Sequence, residues 1–192
     1  CRNIGTGRRV TKIRAAVQAD ALAIADIYVE TWRSTYDGTM PDKVLVNMSV
    51  ERQVVYWTRA IQQSQEIVLV AEEADGLVTA MGSGGANRDR SSDIAGEVYT
   101  LYVHPDHHER GIGERLLAHL FYELMGRSMM SAVIWVLAPN PARFFYEAMG
   151  GARTGDRNEE LWGTTLKELA YVWTDLSNCL TLGRPGIDRV IV

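Results

Sequence analysis

The sequence predicts an α/β fold: a mixed, largely antiparallel central sheet flanked by helices. Three observations carry that prediction. Strand-like and helix-like patterns follow one another as β, α, α, β, β, β, α, β, α, β, β. Two β-rich runs flank Asp75-Gly76, a strong short hairpin signal that makes this part antiparallel. A helical stretch then separates GEVYTLYVHP from SAVIWVL, the arrangement of a βαβ crossover between parallel strands.

Each element has its own local reason. Val10 to Val17 (VTKIRAAV) alternates apolar positions and reads as the first strand. Asp20 is the expected N-cap of a helix that carries Leu22, Ile24, Ala25, Ile27, Tyr28 and Trp32. Gly38 and Pro41 break that helix, and Ser49 caps a second one through about Gln63, with Val50, Val54, Trp57 and Ile61 on one stripe. The polar loop NRDRSSD leads into GEVYTLYV, which Pro105 stops. Ile112, Leu116, Leu120 and Leu124 repeat at one-turn spacing, so the next element is a helix. SAVIWVL is continuously apolar, as a strand buried on both faces must be. In PNPARFFYEAMGG, Asn140 suits an N-cap, Pro141 the first helical position and Gly150 the stop. GARTGDR and LWGTTLKELAYVWTDL read as two closing strands. The expected organisation is a loose arm over 1–9, one domain over 10–176 and an unassigned tail over 177–192.

Composition narrows the function. Of 192 residues, 46% are apolar and 23% charged, values of an ordinary globular protein. A net charge of −4 argues against a nucleic-acid binder, which needs clustered Lys and Arg to neutralise phosphates. Cys1 and Cys179 form no spaced framework, which disfavours a structural disulfide or a Cys-based metal site. No apolar run is long enough to span a membrane, and the first residues lack the apolar core of a secretory leader. A cytoplasmic, metal-free protein that binds neither membrane nor nucleic acid is the expectation, and a homodimer stays open.

The most informative stretch is HPDHHERGIGERLL, His104 to Leu117. His104, His107 and His108 sit on a Pro-broken turn without cysteines or HExxH spacing, so solvated loop histidines fit better than metal ligands. A nucleotide P-loop needs a Lys and a hydroxyl that are missing here, and a dinucleotide fingerprint needs a third glycine. What remains is a pair of glycines, Gly111 and Gly113, at a helix mouth. Without Cβ their backbone can come close to a ligand, and the orphan N–H groups and positive dipole end of the helix favour an anion. Arg110 and Arg115 add positive charge nearby. A pyrophosphate suits such a seat; plain helix entry is the alternative.

GEVYTLYVHPDHHERGIGERLL followed by NPARFFYEAMGGA, with IWVL between them, resembles the GNAT superfamily of N-acetyltransferases over about residues 10–175. The resemblance implies a central strand, pyrophosphate loop and helix, then a second strand-to-helix motif. The family's loop is usually Gln/Arg-x-x-Gly-x-Gly, and His108 stands at its first position here. The implied cofactor is acetyl-CoA, bound without a metal by Leu101, Tyr102 and Val103 along the strand. His108, Glu109, Arg110, Gly111, Ile112, Gly113 and Glu114 would form the loop, and Asn140 would contact the cofactor or simply cap its helix.

The chemistry implied is transfer of an acetyl group from acetyl-CoA to a primary amine of a small molecule or peptide by direct attack. A lysine-like amine with a pKa of about 10 is deprotonated in only about one molecule in a thousand at neutral pH, so a proton acceptor contributes to the rate. Glu97 stands where many members of the family carry that acceptor; otherwise it is a solvated strand-start residue. Tyr146 matches the family's tyrosine that protonates the departing sulfur, or it is core packing beside Phe144, Phe145 and Met149. Trp32 and Tyr36 border the implied acceptor site, as cation–π partners or as packing. A catalytically silent acetyl-CoA sensor or partner subunit is the competing reading, and the presence of both Glu97 and Tyr146 favours the enzyme.

Overall fold

The computed structural model describes residues 11–36, 48–161 and 163–181, and these build a single seven-stranded sheet with helices on both faces. The elements are β1 (Lys12–Ala15), α1 (Ala21–Tyr36), α2 (Val50–Gln63), β2 (Ile67–Glu72), β3 (Val78–Ala86) and β4 (Gly96–Val103). They continue with α3 (Ile112–Gly126), β5 (Ala132–Leu137), α4 (Ala142–Ala148), β6 (Ala152–Leu161), β7 (Thr164–Trp173) and α5 (Leu176–Thr181). The sheet runs β1-β2-β3-β4-β5-β7-β6, and only β4 and β5 pair in parallel. The mixed, largely antiparallel fold expected from the sequence is what forms.

Alternation along β2 shows how the sheet takes helices on both sides. Ile67, Leu69 and Ala71 join the core beneath α3, with Leu116, Leu120 and Leu124. Val68 and Val70 point the other way, to Ile24, Ile27 and Trp57 of α1 and α2. Successive side chains of a strand face opposite sides, so a run buried on both faces must be apolar throughout. The Ser49 hydroxyl caps α2 by accepting from the Arg52 N–H.

Four details depart from the expectations. β1 begins at Lys12 and ends at Ala15, shorter than Val10 to Val17; residues 1–10, including the expected loose arm, lie outside the described residues. The β2–β3 connection is wider than a two-residue turn: Glu73 and Leu77 close it, N–H to carbonyl at 2.8 Å, with Gly76 at φ 87° inside. The break between the last two strands falls after Leu161, so GARTGDR continues four residues further in β6. The expected tail holds most of α5, whose Leu176 is fully buried and donates its N–H to the Met130 carbonyl. Residues 182–192 and the loop containing Gly38 and Pro41 lie outside the described residues.

Asp20 is not the side-chain cap of α1 that the sequence suggests. The chain makes a 3-10 turn, Gln18–Asp20, before α1, and the buried Asp20 carboxylate accepts from the Val17 N–H at 2.8 Å. It also accepts from both terminal nitrogens of Arg14, at 2.7 and 2.9 Å, which ties β1 to α1. The Arg14 hydrogen bonds, and to a smaller degree that of Val17, hold its pKa below the usual carboxylate range against the opposing effect of burial. A depressed folded-state pKa gives stability that is present above the unfolded value of about 3.9 and lost as pH falls through the folded one. Asp20→Asn is therefore predicted to lower stability by about 1–2 kcal/mol near neutral pH. Urea melts at stepped pH should show the gap to wild type closing below about pH 4.

Candidate active site

The site begins with an irregularity in β4. On the β3 side, Ser83 pairs with Thr100 and Gly84 with Val98, so Tyr99 is an extra residue, a β-bulge. On the β5 side, pairing covers Gly96–Ala132, Glu97–Val133 and Val98–Ile134 and then stops. A bulge bends its strand and strengthens the local twist, and beyond it β4 and β5 part. A cavity of about 800 Å³ opens between them, lined by Thr100 to Val103 on one side and Trp135 to Leu137 on the other. Gly84 permits the bulge, because a Cβ there would lie 2.8 Å from the Glu97 carbonyl oxygen.

One end of the cavity is the mouth of α3. Gly111 is the N-cap in the left-handed region (φ 72°), and Glu109 also has positive φ, 61°. The first helical bond runs from Arg115 N–H to the Gly111 carbonyl, so the N–H groups of Ile112, Gly113 and Glu114 have no partner among the described residues. All three residues line the cavity, together with His108, Glu109 and Gly111. The helix starts at Ile112, where its one-turn apolar repeat begins, with Gly113 in its first turn. The His108 ring donates from Nε2 to the Val103 carbonyl at 2.9 Å and so pins the loop to β4.

The arginines of this stretch turn elsewhere. Arg110 reaches back to the Asp106 carbonyl at 3.0 Å and to the His107 ring, and its side chain is not among those lining the cavity. Arg115 donates to the Thr11 carbonyl at the start of the sheet. The positive character at the mouth comes from backbone rather than side chains. His104 and His107 rings meet edge to face, and no group of three or more potential ligands is arranged for a metal among the described residues.

The opposite wall is α4. Asn140 accepts from the Ala142 N–H at 2.8 Å and donates to the Tyr36 hydroxyl at 2.7 Å, so it starts the helix and holds the end of α1 at once. Tyr146 is 4% exposed, packed against Phe145, Tyr171 and Trp173, yet it lines the cavity. Its core and cavity roles coexist. Burial, with a smaller contribution from Tyr36, pushes its phenol well above the ordinary pKa, so the hydroxyl stays protonated. Leu101, Tyr102 and Val103 line the cavity from β4, and Tyr102 accepts from the Trp32 indole at 3.0 Å.

Glu97 takes a different place from the one expected. It is buried, 1% exposed, and does not line the cavity. Its Oε2 accepts the Arg88 backbone N–H at 2.9 Å, and its Oε1 accepts Arg88 Nε at 3.1 Å and Nη2 at 2.5 Å. It reaches an amine's proton only if that pair opens. The sequence reading missed Arg88, along with Tyr56, Tyr99, Glu159 and Glu168, all of which line the cavity. NRDRSSD reads locally as a polar loop; only the pairing of Gly85 with Glu97 brings Arg88 beside that carboxylate.

The class of protein to which this site belongs follows from comparison with known proteins. The acetyltransferase (GNAT) domain family matches residues 64–150. The N-acetyltransferase YuaI of Bacillus subtilis (strain 168) is 31% identical over 170 residues, 88% of this chain and 96% of that protein. The L-amino acid N-acyltransferase MnaT of Escherichia coli (strain K12) is 33% identical over 124 residues, 64% of this chain and 69% of that protein. An acetyltransferase from Salmonella typhimurium, solved with its cofactor acetyl-CoA, superposes with a TM-score of 0.63 at 25% identity, covering 94% of this chain and 99% of that one. The chain belongs to the GNAT acetyltransferase family. It is an acetyl-CoA-dependent acyltransferase.

The bulge can be tested without a substrate. Gly84→Ala is predicted to cost about 1–3 kcal/mol, because its methyl meets backbone that cannot rotate away. Gly126→Ala, at the end of α3 with nothing within 4 Å of its Cβ, should be neutral or mildly stabilising. Thermal melts of the two variants should separate by several degrees.

Proposed function

We propose that the protein moves an acetyl group from acetyl-CoA to a primary amine of a small molecule or peptide, by direct attack inside the cavity between β4 and β5. The observation that carries this reading is one cavity bordered by free helix N–H groups, unpaired strand edge and a buried tyrosine hydroxyl. The N–H groups of Ile112, Gly113 and Glu114 suit a pyrophosphate, since orphan donors and the helix dipole favour an anion without a metal. The edges of β4 and β5 suit the amide-bearing arm of the cofactor, which can return hydrogen bonds that the sheet has given up. A strand N–H directed at the thioester oxygen would stabilise charge developing there. The YuaI and MnaT likenesses support N-acyl transfer, and the name of MnaT makes free L-amino acids the first acceptors to try.

In the proposed reaction the amine nitrogen forms a bond to the thioester carbon, the C–S bond breaks, the nitrogen releases its surplus proton to solvent, and the thiolate takes a proton. In this reading Tyr146, which lines the cavity, gives that proton and is reprotonated from solvent. The ammonium's own proton leaves through water, because Glu97 is held by Arg88 behind the cavity wall.

Two outcomes are expected. CoA should raise the melting temperature in the presence of EDTA. Gly113→Val should remove that shift while the protein stays folded: a first Cβ there lies a tolerable 3.6 Å from Phe145 and Val103, and the larger group obstructs the helix mouth. A shift that needs added Mg²⁺, or that survives the substitution, would place CoA elsewhere. Tyr146→Phe should keep the fold and the CoA shift and lower kcat by roughly 10²-fold, the worth of a positioned acid, in a thiol-release assay. Full kcat with a loss of stability would leave the tyrosine a core residue only.

A further inference from the structure

Arg88 lines the cavity while its ion-pair partner stands behind it. Its side chain is 62% exposed, while the Glu97 side chain that holds it is 2% exposed and does not line the cavity. Nε and Nη2 are committed to Glu97 Oε1, and the guanidinium carbon lies 4.6 Å from the centre of the Tyr99 ring. Two anchors therefore fix the plane of the fork, and Nη1 has no hydrogen bond among the described residues. A guanidinium held this way is preorganised for a carboxylate or another planar anion.

Tyr56 and Tyr99 line the cavity together with Arg88. The other arginine of the cavity, Arg157, differs. It is paired at 2.7 Å with Glu168, and that carboxylate lines the cavity as well, so no net positive charge faces the ligand there. Glu159 lies on the same side of the strand split. The cavity thus carries a cation on the β3–β4 side and, on the β6–β7 side, the Glu159 carboxylate and a mutually neutralised Arg157–Glu168 pair, an arrangement complementary to the two ends of a zwitterion.

We infer that the acceptor is an amine that also bears a carboxylate, an α-amino acid or a close analogue, whose carboxylate is bound by Arg88. Glu97 is a positioning residue that orients Arg88. The inference rests on the proposed acetyl transfer and deepens it.

The test uses the full chain, acetyl-CoA and twenty L-amino acids, each beside its α-amide. Thiol release gives kcat/KM, and calorimetric titration into the protein with CoA gives binding without turnover. At least one amino acid should exceed its amide roughly 10- to 100-fold in kcat/KM, the worth of a charge-assisted hydrogen bond, chiefly through KM. Arg88→Gln should bring that ratio close to one, and Arg88→Lys should restore part of it. Glu97→Gln should raise KM for the amino acid more than for its amide and leave the low-pH limb of the kcat/KM profile in place. Amides turned over as well as or better than the acids would overturn the receptor, with acetyl transfer intact. A Glu97→Gln variant that lowers kcat equally for both acceptors and shifts the low-pH limb would make Glu97 the proton acceptor and overturn its positioning role. If nothing is acetylated but amino acids bind and amides do not, the receptor stands and acetyl transfer fails. If neither binds, the receptor fails too.

Discussion

The parting of β4 from β5 is the constraint on which the rest of the molecule depends. A parallel pair is an expensive place to break a sheet, because every unpaired N–H and C=O there needs another partner. The chain confines the break to one end. Three residue pairs hold the strands together at Gly96 to Val98, and the extra residue Tyr99 turns β4 away immediately afterwards. The break is tolerated because the sheet is clamped elsewhere. α3 packs Leu116, Leu120 and Leu124 beneath β2, β3 and β4, and β7 covers the whole length of β5. Gly82 lets the helix come close, since a Cβ there would lie 2.9 Å from Leu120 and 3.4 Å from Leu101 and Leu116.

Charge is distributed so that the cavity keeps only a few uncommitted groups. Arg110 and Arg115, which look in sequence like a basic patch at the helix mouth, are used to close loops against Asp106 and Thr11. His108 does likewise with Val103. The donors left over at that end are backbone N–H groups, which cost no side-chain entropy to fix and are not screened as a mobile lysine would be. At the other end Glu97 serves Arg88 from behind, so a buried negative charge presents a positive one at the surface of the cavity. Both ends follow one design, in which the group facing the ligand is held by another that does not.

The fold was largely legible because each element announces itself within its own residues: the one-turn repeat of Ile112, Leu116, Leu120 and Leu124, the unbroken apolar SAVIWVL, and Ser49 before α2. The glycine loop and Tyr146 were legible for a similar reason, each lying in a contiguous stretch with a recognisable order. Arg88 was not. Its meaning comes from register across the β3–β4 loop and β4, and nothing within NRDRSSD distinguishes it from a residue of a solvated loop. Glu97 is ambiguous in the sequence for the same reason. A carboxylate at the start of a central strand has one meaning if it faces the cavity and another if an arginine nine residues earlier folds over it, and only the pairing register decides which.

The elevated pKa of Tyr146 bears directly on the proton transfer proposed for it. In water a phenol of pKa about 10 gives its proton to a thiolate of pKa about 8.5 at a modest uphill cost, and burial raises the phenol further. Taken alone that would make Tyr146 a poor acid. The departing sulfur, however, would develop its charge in the same confined space, and the desolvation that disfavours a phenolate disfavours a thiolate as well. The relevant quantity is the difference between the two, which burial narrows when both groups share it. A hydroxyl that stays protonated across the working pH range is also ready in every molecule, without the loss of occupancy that a group titrating near neutrality accepts. The proton then need move only as the C–S bond opens, so the acid works on the developing charge rather than on a finished thiolate. For that role a buried tyrosine suits this wall better than a histidine, which would divide itself between two protonation states, or a carboxylic acid, which burial would have to hold protonated.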